Sequence, residues 1–315
     1  MKVKLMINKY LKHIILCGLL LVALGAFAQQ DPMFTQYMNN PVLINPAYTG
    51  SQGALNINGI FRKQWAGFEW QPTTTSLSVN SPFLDYRIGA GFTFLHDNIG
   101  PLSQTGIYLD YAYSIDFSPT SRLSLGIKAG FNFFQKDLQG LITFEDDAWV
   151  NLYPNTSKML FNTGIGAFYY NETTFVGFSV PKLVRNSLSD KENTYEFVGR
   201  EERHIFLTAG RVFDINPILK LKPTVMLRMV NSAPFSAEVT ATMIFYEQFW
   251  GGLMYRYGDS FGAHLRLQVN ADLQIGYSYD LNNSRLRTHN SGTHEIFVSY
   301  TISKEGRRIL SPRYF

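Results

Sequence analysis

A strict alternation of apolar and polar residues constrains this chain more than any other feature of its sequence. In the stretch 104–116 every second position from Ile107 onward is apolar or aromatic, and the positions between are mostly small, polar or acidic. The first set is Ile107, Leu109, Tyr111, Tyr113 and Ile115, and the second is Tyr108, Asp110, Ala112, Ser114 and Asp116. Because successive side chains of a strand point to opposite faces, the pattern predicts strands with one apolar and one polar face.

The alternation recurs along the chain and predicts fourteen strands. They are 54–61, 73–80, 87–96, 104–116, 122–135, 162–170, 173–180, 204–213, 220–230, 236–245, 249–257, 260–269, 273–280 and 294–302. Several have about ten residues or more, the length that a tilted strand needs to cross a bilayer, whereas strands of soluble proteins usually have about five or six.

The predicted connections alternate in length. Those that follow even-numbered strands are short, and the long ones, including 136–161 and 181–203, all follow odd-numbered strands. Outer-membrane barrels have this asymmetry, with short periplasmic turns and long external loops. We therefore predict an all-β fold with a single antiparallel transmembrane β-barrel over residues 54–302. A soluble β-sandwich or barrel, whose strands also alternate, is the alternative.

The polar face of the predicted barrel carries charges of both signs, which favours internal ion pairs over an ion-selective path. The charged residues are Asp110, Asp116, Lys128, Lys222, Arg228, Glu238, His264 and Arg266. Strand glycines would give a crowded interior room for other side chains, or relieve curvature; they are Gly89, Gly91, Gly164, Gly166 and Gly177. Pro223 is the weakest point, because proline cannot donate in a ladder, and a start at Thr224 is the alternative for that strand.

Both ends of the chain lie outside the predicted barrel. Residues 1–28 combine a basic start, an apolar stretch and Ala26-Phe27-Ala28, so we predict a signal peptide cleaved between Ala28 and Gln29. An uncleaved membrane anchor is the alternative. The proline-rich but apolar residues 29–53 predict a periplasmic or plug segment, and residues 303–315 predict a periplasmic tail. An even number of strands then places both termini in the periplasm.

Composition argues against nucleic-acid binding and thiol chemistry. After residue 28 the chain carries 24 basic and 24 acidic residues, so it lacks the concentrated positive charge of a nucleic-acid binder. The one cysteine, Cys17, lies in the predicted signal. The later histidines fall on separate strands or loops, and we expect no catalytic, metal-binding or cofactor-binding residue. Calcium at the acidic run 145–147 is a further possibility, although such runs are more often solvated loops.

Two motifs outside the strands are candidate contact sites. Trp65, Phe68 and Trp70 lie in the first predicted external loop, where they belong either to an aromatic girdle or to a partner-binding surface. The tail carries Arg307, Arg308, Arg313 and Phe315. The residues of the N-terminal segment that we expect to contact a partner or fill the barrel are Asp31, Pro32, Phe34, Gln36, Tyr37, Asn45, Pro46, Ala47, Tyr48 and Gly50.

The same N-terminal residues resemble the opening of the PorP/SprF family of the bacterial type IX secretion system. The resemblance rests on Asp31-Pro32, Phe34, Gln36-Tyr37, Asn40-Pro41, Asn45-Pro46-Ala47-Tyr48 and Gly50. Weaker matches are Arg62, Gln64-Trp65, Gly67, Tyr111-Ala112-Tyr113, Tyr277-Ser278-Tyr279-Asp280, Gly292-Thr293-His294-Glu295-Ile296 and the ending Ser311-Pro312-Arg313-Tyr314-Phe315. Thr293 departs from the serine expected in the family.

The resemblance implies a non-enzymatic outer-membrane component of type IX secretion in Bacteroidota, linked in some members to gliding motility. It implies four kinds of neighbour: outer-membrane lipid, periplasmic components, lipoprotein components, and exported cargo such as large adhesins. A barrel of this size leaves little free width, so we expect an accessory or anchoring role. The alternative is a diffusion channel or small-solute transporter.

Overall fold

The computed structural model describes residues 32–84, 86–137, 155–188, 199–231, 233–283, 288 and 290–302. Three short 3-10 helices come first, η1 Tyr37–Asn39, η2 Pro41–Leu43 and η3 Pro46–Tyr48. The strands are β1 Leu55–Lys63, β2 Thr73–Phe83, β3 Ile88–Ile99, β4 Leu102–Ser118, β5 Ser121–Lys136, β6 Thr156–Asn171, β7 Thr174–Val180, β8 His204–Arg211, β9 Phe213–Asn216, β10 Leu219–Val230, β11 Ser236–Phe245, β12 Phe249–Arg256, β13 Ser260–Gln268, β14 Leu273–Asn282 and β15 Thr293–Ile302. A helix long and apolar enough to span a membrane does not occur in this part of the chain.

The strands close into one antiparallel barrel. Apart from β8 and β9, which do not pair with each other, each strand pairs with its neighbours in sequence, and the first strand, β1, pairs with the last, β15. β8 and β9 both pair with β10 and so share one position, which gives the closed sheet fourteen strand positions. The predicted fold class is therefore confirmed. Closure matters because a sheet in lipid has no water to satisfy the amides of an open edge.

Pro223 lies inside β10, so the alternative start at Thr224 is wrong. Pro223 is opposite Ala241 on the β11 side. On the other side, the ladder with β8 begins only at Thr224, and the ladder with β9 ends at Leu221. The residue between β8 and β9, Val212, donates its N–H to Thr173 instead. Proline is tolerated because the neighbouring strand is interrupted where Pro223 would have to donate.

The two faces of the barrel differ as the alternation predicts. On β4 the outward set is exposed, with Leu109 at 66%, whereas Asp110 and Ala112 of the opposite set are buried. β5 and β13 show the same division. Asp116 is the exception, because it lies near the end of β4, where it is exposed and pairs with Arg122 at 2.8 Å.

The barrel has two unlike rims. The connections after β2, β4, β6, β9, β11 and β13 hold two to four residues each, and we call this end the short-turn rim. The connections at the opposite end, the long-loop rim, hold up to 23 residues, between Val180 and His204. β1 starts and β15 ends at the short-turn rim, since Leu55 pairs with Ile302.

The described residues before β1, Pro32–Gly53, lie inside the barrel, and we call them the lumen segment. At its start, Pro32 lines a cavity with Gln64, Trp65 and Pro72 at the long-loop rim. At its other end, Gly50 lies beside Ser81 and Pro82 near the short-turn rim. The segment therefore runs through the length of the lumen before the chain enters β1.

Candidate functional site

The candidate functional site is the interface between the lumen segment and the inner wall. The predicted contact residues lie there in buried positions, including Phe34, Gln36, Tyr37, Asn45, Ala47 and Tyr48. Asp31 lies outside the described residues. Because short 3-10 helices satisfy only part of their own backbone, the segment depends on the wall for its remaining hydrogen bonds.

Near the long-loop rim the segment is held by one arginine and two acids of the wall. Arg62 Nη1 donates to Glu295 Oε2 at 2.9 Å and to Thr35 Oγ1 at 2.8 Å, and Nη2 donates to Asp280 Oδ2 at 3.2 Å. Glu295 also accepts the backbone N–H groups of Thr35 at 2.9 Å and Gln36 at 2.8 Å. The hydroxyl of Thr35 donates to Asp280. Segment and wall thus share one charge-assisted network.

Further along, the wall satisfies polar atoms of the segment one by one. Ser78 Oγ donates to Asn40 Oδ1 at 2.9 Å. Ser179 Oγ donates to the carbonyl of Ile44 at 2.7 Å. Neutral bonds of this kind each contribute about 1 kcal/mol, less than charge-assisted ones, so they fix position more than they add stability.

The third 3-10 helix sits against glycines of the wall. A Cβ built on Gly126 would meet the backbone of Ala47, and one on Gly166 would meet the side chain of Asn45. A Cβ on Gly89 would meet the carbonyl of Thr49. At Gly89 and Gly166 the structure agrees with the prediction that strand glycines make room in the lumen, and both backbone and side-chain atoms of the lumen segment fill that room.

Apolar side chains of the segment pack into two clusters on the wall. Phe34, Tyr37 and Met38 pack with wall residues that include Ile60 and Phe297. Val42, Ala47 and Tyr48 pack in a second cluster with Phe168, Tyr170, Phe175 and Val212. Burial raises the pKa of the phenols of Tyr37 and Tyr48, so both stay neutral.

Most buried charges of the wall are paired. Lys128 Nζ lies 2.9 Å from Asp110 Oδ1, and Arg256 Nε donates to Glu238 Oε2 at 2.8 Å. This agrees with the prediction of internal pairing. His264 and Arg266, in contrast, have no carboxylate partner among the described residues.

The β7–β8 connection turns inward where it is described. Glu201 is buried and accepts from Asn132 at 2.6 Å, Asn162 at 3.2 Å and Asn186 at 2.7 Å, and Lys182 Nζ lies 3.4 Å away. Pro181 and Lys182 line a small cavity with Pro32 and Phe34. This loop was predicted as an external contact, and its described ends pack in the lumen beside the start of the segment.

At the long-loop rim a cavity of about 510 Å³ opens between the segment and the loops. Trp65 belongs to its lining and is partly buried, and its backbone N–H donates to Thr293 Oγ1 at 3.3 Å. Phe68 and Trp70 are 41% and 54% exposed. The three predicted loop aromatics therefore do not share one environment, because Trp65 lines the cavity and the other two are exposed.

Several predicted features lie outside the described residues. These are the signal cleavage site at Ala28 and Gln29, the acidic run 145–147, the tips of both long loops, and the tail with Arg307, Arg308, Arg313 and Phe315.

A Gly-x-Ser-x-Gly sequence at 258–262, which the sequence analysis overlooked, has no catalytic geometry. A nucleophile elbow joins a strand to a helix and places its serine beside a histidine. Ser260 instead begins β13, where its hydroxyl contacts Arg256 at 3.3 Å and Asp259 at 3.4 Å. In the described part of the chain, no three His, Cys, Asp or Glu residues are placed to hold a metal ion.

Sequence reasoning also missed the convergence of Arg62, Asp280 and Glu295. All three had been noticed as separate motif matches, on the first and the last two strands. The signal that could have joined them is the closure of the barrel, which pairs Arg62 directly with Glu295.

Known structures with similar architecture are outer-membrane proteins. The CymD monoaromatic hydrocarbon channel aligns with a TM-score of 0.51 and 11% identity, over 90% of this chain and 97% of the channel. Omp33 of Acinetobacter baumannii gives 0.48 and 7%, over 81% and 100%. A FadL homologue of Pseudomonas aeruginosa gives 0.42 and 12%, over 78% and 89%. At these identities the likeness shows the fold alone.

Comparison of sequences is more specific. A search of curated proteins gave no match. The family described as "Type IX secretion system membrane protein PorP/SprF" matches residues 26–300, which include the lumen segment and every strand position of the barrel. The chain therefore belongs to the PorP/SprF family and is an outer-membrane β-barrel of the type IX secretion system.

Proposed function

We propose that the protein is an accessory or anchoring barrel that assists export or surface retention of large cargo such as adhesins, and that cargo does not pass through its lumen. In some settings this role would serve gliding motility. The observation that carries the proposal is the network of Arg62, Asp280 and Glu295, which ties the lumen segment to the wall.

Energetics support a segment that stays in place. Removing it would leave Glu295 without the two backbone donors of Thr35 and Gln36, and would expose two apolar clusters. Each fully buried apolar side chain is worth about 1.5–3 kcal/mol, so expulsion during each export cycle would be costly. A barrel filled in this way suits anchoring better than conduction.

The two rims would then do the recognising. We place the short-turn rim in the periplasm, as in other outer-membrane barrels, so that the tail 303–315 leaves there toward periplasmic and lipoprotein components of the apparatus. The long-loop rim would face the cell exterior, where Phe68, Trp70 and the loops 137–155 and 181–203 would meet exported cargo. The lumen segment acts as a plug in this arrangement, since its side chains are turned to the wall.

Locking the segment to the wall tests the proposal. In the double variant Asn40→Cys/Ser78→Cys, the two side chains that now share a hydrogen bond can be joined by a disulfide or a short bis-thiol crosslinker. With the crosslink formed, we expect cargo export and surface retention at wild-type level. Each single-cysteine variant, treated with the same reagents, is the matched control.

Loss of export in the crosslinked protein alone would contradict the proposal, because it would mean that the segment must move for cargo to pass. Planar-bilayer recordings address the diffusion channel. We expect no steady single-channel conductance from the purified barrel, and a sizeable conductance unchanged by the crosslink would favour solute transport.

A further inference from the structure

The inner wall carries a row of buried basic side chains on β10 and β13. Lys222 lies opposite Thr242, Thr242 opposite Gly252, and Gly252 opposite His264. These residues therefore form one line across four adjacent strands, and their side chains face the lumen. Arg266 follows His264 on the same face of β13. We call Lys222, His264 and Arg266 the basic row.

The side chain of His264 extends along this row. Its Nε2 lies 3.1 Å from Thr242 Oγ1, and a Cβ built on Gly252 would meet its ring. The ring therefore lies over Gly252 and points toward the Lys222 side of the row. His264 is 3% exposed, and its other nitrogen, Nδ1, has no hydrogen-bond partner in the described structure.

Arg266 is held in one orientation with one edge free. Its Cζ lies 4.2 Å from the ring centroid of Trp250, and Nη1 donates to Asn39 Oδ1 at 2.9 Å. Nε and Nη2 are buried and have no partner among the described residues. These two atoms form the edge of a guanidinium that binds an oxyanion side-on through two parallel hydrogen bonds.

Two other buried arginines of the lumen are compensated by carboxylates, Arg62 by Asp280 and Glu295 and Arg256 by Glu238. Arg266 is 8% exposed and has no ion pair with a described carboxylate. An uncompensated buried charge costs several kcal/mol, and a buried guanidinium cannot relieve this cost by losing its proton. The guanidinium of Arg266 therefore lacks a compensating negative charge from the described residues.

We propose that the basic row binds a small oxyanion, with the Nε–Nη2 edge of Arg266 as its main contact and His264 and Lys222 adding hydrogen-bond donors. Phosphate, sulfate and a carboxylate all present two oxygens at the spacing that a guanidinium edge requires. The anion would lie between the wall and the lumen segment beside Asn39, and this site is independent of how the barrel serves secretion.

Thermal unfolding of the purified full-length protein in detergent tests the site. At constant ionic strength, replacing chloride by inorganic phosphate should raise the midpoint of unfolding by several degrees, in a saturable way. Parallel series with sulfate and acetate distinguish a tetrahedral anion from a carboxylate. Arg266→Gln should abolish the shift, and Arg266→Lys should reduce it, because lysine keeps the charge and loses the paired donors.

Arg122→Gln is the matched control, since Arg122 pairs with Asp116 at the short-turn rim and lies apart from the row. It should keep the full shift. If Arg266→Gln does not fold, His264→Gln provides the second test. This variant should bind phosphate more weakly, so the half-saturating phosphate concentration should rise several-fold. No saturable shift with any of the three anions, or an equal shift in wild type and Arg266→Gln, would overturn the proposal.

Discussion

Two buried arginines of the lumen, Arg62 and Arg266, differ in how their positive charges are compensated. Each donates a hydrogen bond to the lumen segment, Arg62 to Thr35 and Arg266 to Asn39. Arg62 is neutralised by two wall carboxylates, whereas Arg266 has an aromatic face and no carboxylate. The first arrangement fixes the segment by itself. The second lacks a negative charge, which a bound anion would supply. The wall around Arg62 therefore anchors the lumen segment, and the wall around Arg266 can bind an anion.

The largest loss of stability should come from removing the charge of Arg62, which two carboxylates compensate. Arg62→Gln leaves Asp280 and Glu295 buried without their cation, and breaking a buried pair typically costs about 3–5 kcal/mol. We expect the urea midpoint of unfolding in detergent to fall accordingly, and the lumen segment to become open to protease. Heat-modified migration on gels and limited proteolysis would follow both effects.

The exposed pair of Arg122 and Asp116 supplies the control for this variant. Arg122→Gln should change stability by no more than about 1 kcal/mol, as for other exposed pairs. Equal losses in the two variants would show that the Arg62 network contributes no more than a surface ion pair.

A smaller loss of stability is expected where the lumen segment contacts the wall through uncharged groups. Gly126→Val places side-chain atoms where the backbone of Ala47 lies, and overpacking typically costs about 1–3 kcal/mol. Gly251→Val on the outer face of β12 is the control, because a Cβ there meets only Leu265 at 3.4 Å. If both variants unfold at the same urea concentration, the close contact between Gly126 and Ala47 does not constrain η3.

The smallest change in stability should come from removing the charge of Arg266, which no described carboxylate compensates. In chloride buffer free of oxyanions, Arg266→Gln removes a buried charge that has no carboxylate partner, so we expect stability to change by less than about 1 kcal/mol or to rise. Urea unfolding of this variant beside Arg62→Gln makes the comparison direct. A loss as large as that of Arg62→Gln would mean that Asn39 and Trp250 alone compensate Arg266.

The barrel itself could be read from the sequence. Alternation placed the strands to within a few residues, and the largest difference is β6, which begins at Thr156 rather than at 162. The extension follows from its neighbour, since β5 continues to Lys136 and offers pairing partners as far as Thr156. Pattern within one strand cannot report how far the adjacent strand reaches.

The site was only partly predictable. The prolines and apolar residues of 29–53 indicated a segment that packs on something, but not that it passes along the whole lumen. Its path depends on the glycines of β3, β5 and β6, which lie far apart in sequence and close around one 3-10 helix. The same holds for Thr35, whose partners Asp280 and Glu295 are more than 240 residues away.

Sequence alone determined that this chain forms a closed sheet with an apolar exterior, because the period of two is a local property that each strand displays by itself. The tertiary structure decided which inward-facing side chains meet. Closing the sheet brought Arg62 beside Glu295 and left Arg266 against Trp250, and no local pattern distinguishes those two arginines. Compensation of charge in a low-dielectric interior depends on distances between strands, and these exist only after the barrel has closed around its segment.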